Sequence, residues 1–265
     1  MKLIKMLMKF ERMFGSWQKA VRNRIVSAEL SEAEFIPYIQ PVYKSSELIG
    51  GEVLVRVKKK GVLYTPESYI SLLESGDVIN DVICELLKSV KSHFTPYMEL
   101  LPEGFHFSFN ICGRQLNSPR VIDALEDFNA HFRGKAYVIL EIVERGTMLL
   151  DDFALDAMQK LSESGVQFAI DDFGSGSSSL KYLEHSGFST IKIDKCLTVA
   201  CNGTLIYSAI IDSILSLSES LQIQVVAEGV ENKEQLALLK EKGVQLFQGY
   251  LFSRPLSMRE FCSHI

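Results

Sequence analysis

Asp171 and Asp172 are adjacent carboxylates that close the apolar run Val166-Gln167-Phe168-Ala169-Ile170 and open onto Phe173-Gly174-Ser175-Gly176. A short apolar run followed by a glycine-rich turn reads as a buried strand and its exit loop. Two carboxylates held together at such a point repel one another. A divalent cation removes that cost, and aspartate oxygens suit Mg²⁺ or Mn²⁺. A single Asp-Asp pair is also what a solvated turn looks like, so the other strand ends decide the case.

Those ends repeat the pattern. Phe105 to Phe109 runs into Asn110, Tyr137 to Leu140 into Glu141, Ile223 to Ala227 into Glu228, and Val244 to Phe247 into Gln248. Gly51 to Val57 carries Glu52, Thr190 to Ile193 carries Lys192, and Ile36 to Tyr43 precedes them all. That gives about eight strands, the number that closes a β/α barrel. Between most of them lie stretches of helical period: Tyr69 to Leu73, Val82 to Val90, Val121 to Phe132, Phe153 to Leu161, Leu205 to Leu221 and Lys233 to Leu239. Such alternation predicts mostly parallel pairing with helices outside. Parallel strands bring their C-terminal ends to one face, where barrels of this kind keep their chemistry. Acids, amides and one lysine on successive strand ends therefore converge.

Composition agrees with a single barrel domain. The chain has 265 residues, 47% of them hydrophobic, with net charge −5 and a pI near 5.6. An acidic balance excludes a dominant role in binding nucleic-acid polymers, which favours basic domains. A small anionic substrate is compatible, because bound cations set the local charge. Cys84, Cys112, Cys196, Cys201 and Cys262 show no metal-binding spacing, and their odd number predicts a reducing, cytoplasmic setting. The five histidines form no i,i+4 pair, so a zinc site built on histidine is not expected.

Residues 1–33 stand outside the alternation, and the barrel domain is taken as 34–265. Lys2, Lys5, Lys9, Arg12, Lys19, Arg22 and Arg24 face only Glu11, with Leu3, Ile4, Leu7, Met8, Phe10, Met13, Phe14 and Trp17 interleaved at helical spacing. No apolar run is long enough for a membrane span or a signal peptide. A basic amphipathic helix suits the surface of an anionic membrane. The plainer reading, which is preferred, is a helix that caps the bottom of the barrel or forms a dimer contact. Lys58-Lys59-Lys60-Gly61 reads as a solvated loop.

From Phe35 to Pro255 the sequence resembles the EAL domains, bacterial phosphodiesterases of cyclic diguanylate. The resemblance rests on Gln40-Pro41-Val42, on Glu52-Val53-Leu54 and on Phe109-Asn110. It continues through Leu140-Glu-Ile-Val-Glu144, Asp171-Asp-Phe-Gly-Ser-Gly-Ser-Ser-Ser-Leu180 and Ile191-Lys-Ile-Asp194. Ala227-Glu-Gly-Val-Glu231 and Gln248-Gly-Tyr-Leu-Phe252 with Arg254-Pro255 complete it. The resemblance implies a modified TIM (β/α)8 barrel whose first strand is antiparallel. The short gap from Val42 to Gly51 fits this, being too short for a crossover helix.

The resemblance also implies roles. Glu52, Asn110, Glu141 and Asp171 match the ligands of one metal, and Asp171, Asp172 and Glu228 those of a second, so two Mg²⁺ or Mn²⁺ ions are expected per site. Lys192 matches a lysine that positions or polarises the attacking water, and with Glu52 and Glu228 it is expected to carry catalysis. An ammonium beside two cations is expected to have a lowered pKa. Gln40, Leu54, Arg56 and Pro255 match positions that contact the substrate, with Arg56 suited to a phosphate through its planar fork. Glu144, Glu231, Gln248 and Asp194 match groups that orient ligands and loop. The implied reaction is in-line attack of a two-metal-activated water on cyclic di-GMP, giving linear 5′-pGpG and lowering a second messenger of motility, biofilm formation and adhesion.

Three positions depart from the family pattern: Val53 in the signature tripeptide, Val143 before Glu144, and Ser175 with Ser177 in the loop after Asp172. None removes a predicted metal ligand. In this family that loop and the next helix, here Ser178 to Leu183, couple dimerisation to metal binding, so a homodimer through this region is expected. The serines are not expected to be nucleophiles, since no His–acid pair accompanies them. The rival from another class is a non-catalytic member, a cyclic di-GMP receptor or interaction module. Such modules usually lack several ligands or the lysine, whereas here the set is complete. A metal hydrolase of another phosphodiester rests on fold analogy alone. The chain reads as a stand-alone domain, regulated by dimerisation, by its N-terminal segment or by a partner.

Overall fold

The computed structural model describes residues 33–65, 73, 77–143, 151–174, 183 and 187–265. The N-terminal segment, the start of the Tyr69–Leu73 helix and most of the loop after Asp172 lie outside them. Strands are β1 (Ala33–Lys44), β2 (Glu47–Lys59), β3 (Val62–Tyr64), β4 (Phe105–Ile111), β5 (Ala136–Val143) and β6 (Gln167–Phe173). They continue with β7 (Phe188–Ile193), β8 (Ala200–Cys201), β9 (Thr204–Leu205), β10 (Gln224–Ala227), β11 (Leu246–Phe247) and β12 (Leu256–Ser257). Helices are α1 (Val78–Phe94), α2 (Pro119–Phe132), α3 (Asp152–Glu163), α4 (Ser208–Leu221), α5 (Lys233–Glu241) and α6 (Met258–Phe261).

The sheet closes in the order β1, β2, β4, β5, β6, β7, β10, β11 and back to β1. Every neighbouring pair is parallel except those of β1, which runs antiparallel to both β2 and β11. The inverted first strand follows from its connection: only Ser45 and Ser46 separate β1 from β2, enough for a hairpin and far too few for a crossover. The register pairs Gln40 with Glu52 and Ala33 with Lys59.

Side chains alternate across each strand, and β4 shows what that does. Phe105, Phe107 and Phe109 point outward and are fully buried, while His106, Ser108 and Asn110 point into the barrel. The phenylalanines meet Phe94 of α1, Phe128 and Phe132 of α2 and Phe261 of α6, with ring centroids 5.2 Å apart for Phe94–Phe107 and 5.3 Å for Phe109–Phe128. Each buried ring contributes about 1.5–3 kcal/mol by removal from water. The helices supply matching stripes: Val82, Leu86 and Val90 in α1, and Val121, Leu125, Phe128 and Phe132 in α2. Caps end them locally. The Asp151 carboxylate accepts from Ala154 N at 2.9 Å before α3, and Asn232 Oδ1 accepts from Gln235 N at 2.8 Å before α5.

Several elements differ from the sequence expectation. Lys58 and Lys59 belong to β2, and Lys60 and Gly61 form its turn with φ of 52° and 79°. Successive positive φ values make the tight hairpin turn whose twist suits antiparallel strands, so the stretch is a hairpin into β3 and not a loose loop. Leu205 falls in the small β8–β9 hairpin, and the helix predicted from it begins at Ser208. Most strands match their predicted spans within a few residues, but β4, β5 and β6 run past the polar residues expected to end them.

Candidate active site

Lys192 is the centre of the site. It projects into the barrel between Ile191 and Ile193, which point outward and are fully buried. Its ammonium lies 2.6 Å from Glu141 Oε2, 2.6 Å from Glu228 Oε1, 3.2 Å from Glu52 Oε2 and 3.4 Å from Asp171 Oδ1. Lys192, Glu141 and Glu52 are 3%, 2% and 6% exposed, so these charges are screened from water. The four acids come from β5, the end of β10, β2 and β6, and their convergence is what the strand-end pattern predicted.

Glu52 is held at both oxygens. Asn110 Nδ2 donates to Oε1 at 2.7 Å and Gln248 Nε2 donates to Oε2 at 2.7 Å. With its amide nitrogen committed, Asn110 offers its carbonyl oxygen as a ligand atom. Asp171 and Asp172 use a backbone irregularity. Consecutive strand residues normally face opposite ways, but β6 carries a register shift against β7 between Ile170 and Phe173, and Asp172 takes φ of 54°. A bulge re-aims a side chain in this way. Oxygens of Asp171, Asp172 and Glu228 consequently lie within 4.8 Å of one another.

Electrostatics follow from burial and crowding. Burial alone would raise Glu52, but Lys192 and the donors Gln248 and Asn110 override it and lower its pKa. Burial, then the neighbouring Glu52 and Asp171 charges, push Glu141 well above the usual carboxylate range against the pull of Lys192. Burial and the charges of Asp171 and Glu52 likewise raise Glu228 to about 8 despite Lys192. Burial pulls the Lys192 ammonium down, yet Asp171, Glu141, Glu228 and Glu52 together lift it well above an ordinary lysine. The expectation of a lowered Lys192 pKa presupposed cations at its side; among the side chains themselves the acids dominate.

The donor set fits hard divalent cations. It consists of carboxylate and amide oxygens, and Asp171 Oδ1 is buried with no hydrogen-bond partner. Five acids against one lysine leave negative charge that a bound cation would neutralise.

An open cleft of about 240 Å³ leads to this cluster. Gln40, Leu54, Glu231 and Gln248 line it with Glu52, Asp171 and Glu228. Arg56 and Pro255 stand outside its wall. Arg56 lies further up β2, with its guanidinium 5.4 Å from the Tyr38 ring centroid and donating to Val55 O at 3.0 Å. Asp194 follows β7 and accepts from Cys196 N at 2.7 Å, which fixes the turn after Lys192. Glu144, Ser175 and Ser177 lie outside the described residues. Lys195 and Tyr250 also line the cleft, with Arg254 stacked 4.2 Å over the Tyr250 ring. The sequence reading missed both, although each follows a strand-end residue it had named, Asp194 and Gln248, and so sits at the mouth.

The EAL domain profile matches residues 22–255. The probable cyclic di-GMP phosphodiesterase PdeG of Escherichia coli K12 is 33% identical over 244 residues, covering 91% of this chain and 48% of PdeG. The cyclic di-GMP phosphodiesterase PdeL of the same organism is 34% identical over 248 residues, covering 92% of this chain and 68% of PdeL. This chain therefore spans about half the length of the first relative and about two thirds of the second. The solved structure of the EAL enzyme Bd1971 bound to cAMP and cyclic di-GMP superposes with a TM-score of 0.76 at 28% identity, covering 100% of this chain and 76% of that one. With a match over most of its length, and with the barrel, the inverted first strand and the acidic cluster in place, this chain belongs to the EAL domain family.

Proposed function

We propose that this protein is a metal-dependent phosphodiesterase that opens cyclic di-GMP to linear 5′-pGpG. One observation carries the reading: Lys192 seated among Glu52, Glu141, Asp171 and Glu228 at the C-terminal mouth of an EAL barrel. A non-catalytic module has no use for so costly a buried charge cluster. Family membership and the phosphodiesterases PdeG and PdeL among its relatives support the substrate.

Glu52, Asn110, Glu141 and Asp171 would hold one divalent cation, and Asp171, Asp172 and Glu228 a second. Such ions, when bound, lower the pKa of water and balance charge on attacking and leaving oxygens. Gln248 and Asn110 fix the rotamer of Glu52. Lys192 keeps Glu52, Glu141 and Glu228 turned toward a common point and offers a cationic donor to an attacking oxygen there. Gln40 and Leu54 line the cleft where a guanine would lie, and Gln40 is oriented by donating to Ser253 O at 3.3 Å. Arg56 and Pro255 are assigned to the outer part of the same substrate path, and Glu144, Glu231 and Asp194 to support of ligands and loop.

A homodimer through the segment after Asp172 belongs to this reading, as does a cytoplasmic location that keeps all five free cysteines reduced. No helix among the described residues is long and apolar enough to cross a membrane. The test is chromatographic: purified protein with cyclic di-GMP and Mg²⁺ or Mn²⁺, beside Glu52→Ala and Lys192→Ala. Metal-dependent pGpG from wild type alone supports the proposal. Binding without cleavage by wild type would make the protein a receptor.

A further inference from the structure

Glu52 and Glu228 are held in different ways. Asn110, Gln248 and Lys192 all donate to the Glu52 carboxylate, whereas among the described residues Lys192 is the one donor to that of Glu228. β10 ends at Ala227, so Glu228 stands one residue beyond the sheet. Its aim is therefore set by its backbone. Glu228 N donates to Ile193 O at 3.2 Å, and Val230 N to Gln248 O at 3.1 Å. Further bonds from this loop go to two side chains that no ligand role claims, Thr198 and Gln235.

Thr198 is fully buried. Its hydroxyl lies 2.9 Å from Glu228 O and 3.1 Å from Lys195 O, and its one proton serves either. Gln235 shares the buried face of α5 with Leu239 and is 6% exposed. Its Nε2 donates to Thr198 O at 2.8 Å, with Gly229 O and Thr198 Oγ1 each 3.2 Å away. Its Oε1 accepts from Glu231 N at 2.8 Å. Both ends of the amide are thus committed, and every partner lies in the segment after β7 or the loop after β10. Packing alone would be served by an apolar side chain, because a buried amide must recover the hydrogen bonds it gives up to water. The two segments also touch directly: a Cβ on Gly229, whose φ is 61°, would fall 2.3 Å from Lys195 Cβ.

We propose that Thr198 and Gln235 are positioning residues that latch Glu228 in place for the second cation. They act through the backbone of Glu228, Gly229 and Glu231, and the assignment rests on the two-cation reading above. It carries an asymmetry. The latch bears on the site of Asp171, Asp172 and Glu228. It does not reach Glu52, Asn110 and Glu141, which come from β2, β4 and β5. A merely structural role would weaken both cations alike or neither.

The test is Mn²⁺ binding to the full chain without substrate, read by electron paramagnetic resonance of the free ion. Wild type should bind two ions. Thr198→Val keeps the shape of the side chain and removes the hydroxyl. In it one ion should bind about 10–100-fold more weakly while the other stays within about twofold of wild type. Thr198→Ser keeps the hydroxyl and loses a methyl group, so its thermal transition should fall while both ions bind as in wild type. Gln235→Leu should repeat the selective loss seen in Thr198→Val, and if it fails to fold, the Val and Ser variants decide between them. Equal weakening of both ions in Thr198→Val overturns the proposal. Unchanged affinity in Thr198→Val, or a loss in Thr198→Ser as large as in Thr198→Val, also overturns it. Wild type that binds two Mn²⁺ ions and never cleaves cyclic di-GMP fails the phosphodiesterase reading alone, and the affinities still decide the latch. Wild type that binds fewer than two ions overturns the two-cation reading and this assignment with it.

Discussion

Gln248 Nε2 donates to Glu52 Oε2 at 2.7 Å although 196 positions separate the two residues. In the sheet, β1 lies between β11 and β2, so this bond spans the inverted strand and joins the parallel strands on either side of it. Glu52 thereby enters any ligand role with its rotamer already set. In Gln248→Ala the carboxylate keeps Asn110 and Lys192 but loses that restraint. Cation affinity or turnover should fall about 10–100-fold with the fold intact. A titration of pGpG formation with Mg²⁺ checks this, and an unchanged curve would remove Gln248 from the machinery.

Lys192→Met would leave Glu52, Glu141, Asp171 and Glu228 facing one another in a buried space. Removing one partner of a buried ionic cluster costs about 3–5 kcal/mol, and turnover should vanish. Divalent cations should restore part of the lost stability, because they supply the missing positive charge. Thermal midpoints with and without Mg²⁺ decide it: the cation-induced rise should be larger in the variant than in wild type.

His106 gives a pH prediction. Burial lowers its pKa from 6.5 to about 4, with a hydrogen bond to the Ile49 backbone opposing and Lys192 assisting. The unfolded chain thus binds a proton that the folded protein refuses between these values. Stability is full above pH 6.5 and is lost as pH falls toward 4, by an amount on the order of 3 kcal/mol. Urea unfolding of wild type and His106→Gln at pH 7.5 and 5 isolates the effect. The variant should lose less stability on acidification.

Gly249 follows Gln248 at φ of 159°, and a Cβ there would fall 2.2 Å from Val230 O and 2.3 Å from Val230 N. Both atoms are already bonded, Val230 N to Gln248 O at 3.1 Å and Val230 O to Leu251 N at 2.9 Å. Gly249→Ala must push these loops apart, costing about 1–3 kcal/mol, and must displace Gln248. Gly104→Ala is the control, with φ of 70° but nothing within 4 Å. It should lose stability without losing activity. Urea midpoints paired with turnover separate the two.

The barrel was legible because its strands are short apolar runs closed by polar residues, and that pattern is local. Asn110, Glu141 and Lys192 could be placed by their position at or near the ends of those runs. The pairing of Asp171 with Asp172 was legible from their adjacency, but the means by which both reach one point was not, since it depends on a bulge and a left-handed Asp172, which only the pairing of β6 with β7 reveals. The clasp between Gln248 and Glu52 was not legible in the same way: Gln248 was expected to orient ligands, but that it bonds Glu52 across the inverted strand depends on the sheet's closure. Lys58 to Gly61 misled because lysines suggest a loop, whereas the positive φ of Lys60 and Gly61 makes a two-residue turn.

The densest phenylalanine packing lies around β4, α1, α2 and α6, with only the pairs Phe168–Phe188 and Phe247–Phe252 beyond it among the described residues. On the other side β10 spans Gln224–Ala227 with Val225, Val226 and Ala227 as its core residues, and β11 is only Leu246–Phe247. The wall therefore has a more densely packed half and a sparser half, and the sparser half is expected to open first in local unfolding. Asn110 and Glu141 are mounted on the denser half, Glu228 and Gln248 on the sparser. As temperature rises, the side of the site that includes Glu228 loosens while Asn110 and Glu141 hold their places. Heat would then erode the site from one flank before the barrel itself comes apart.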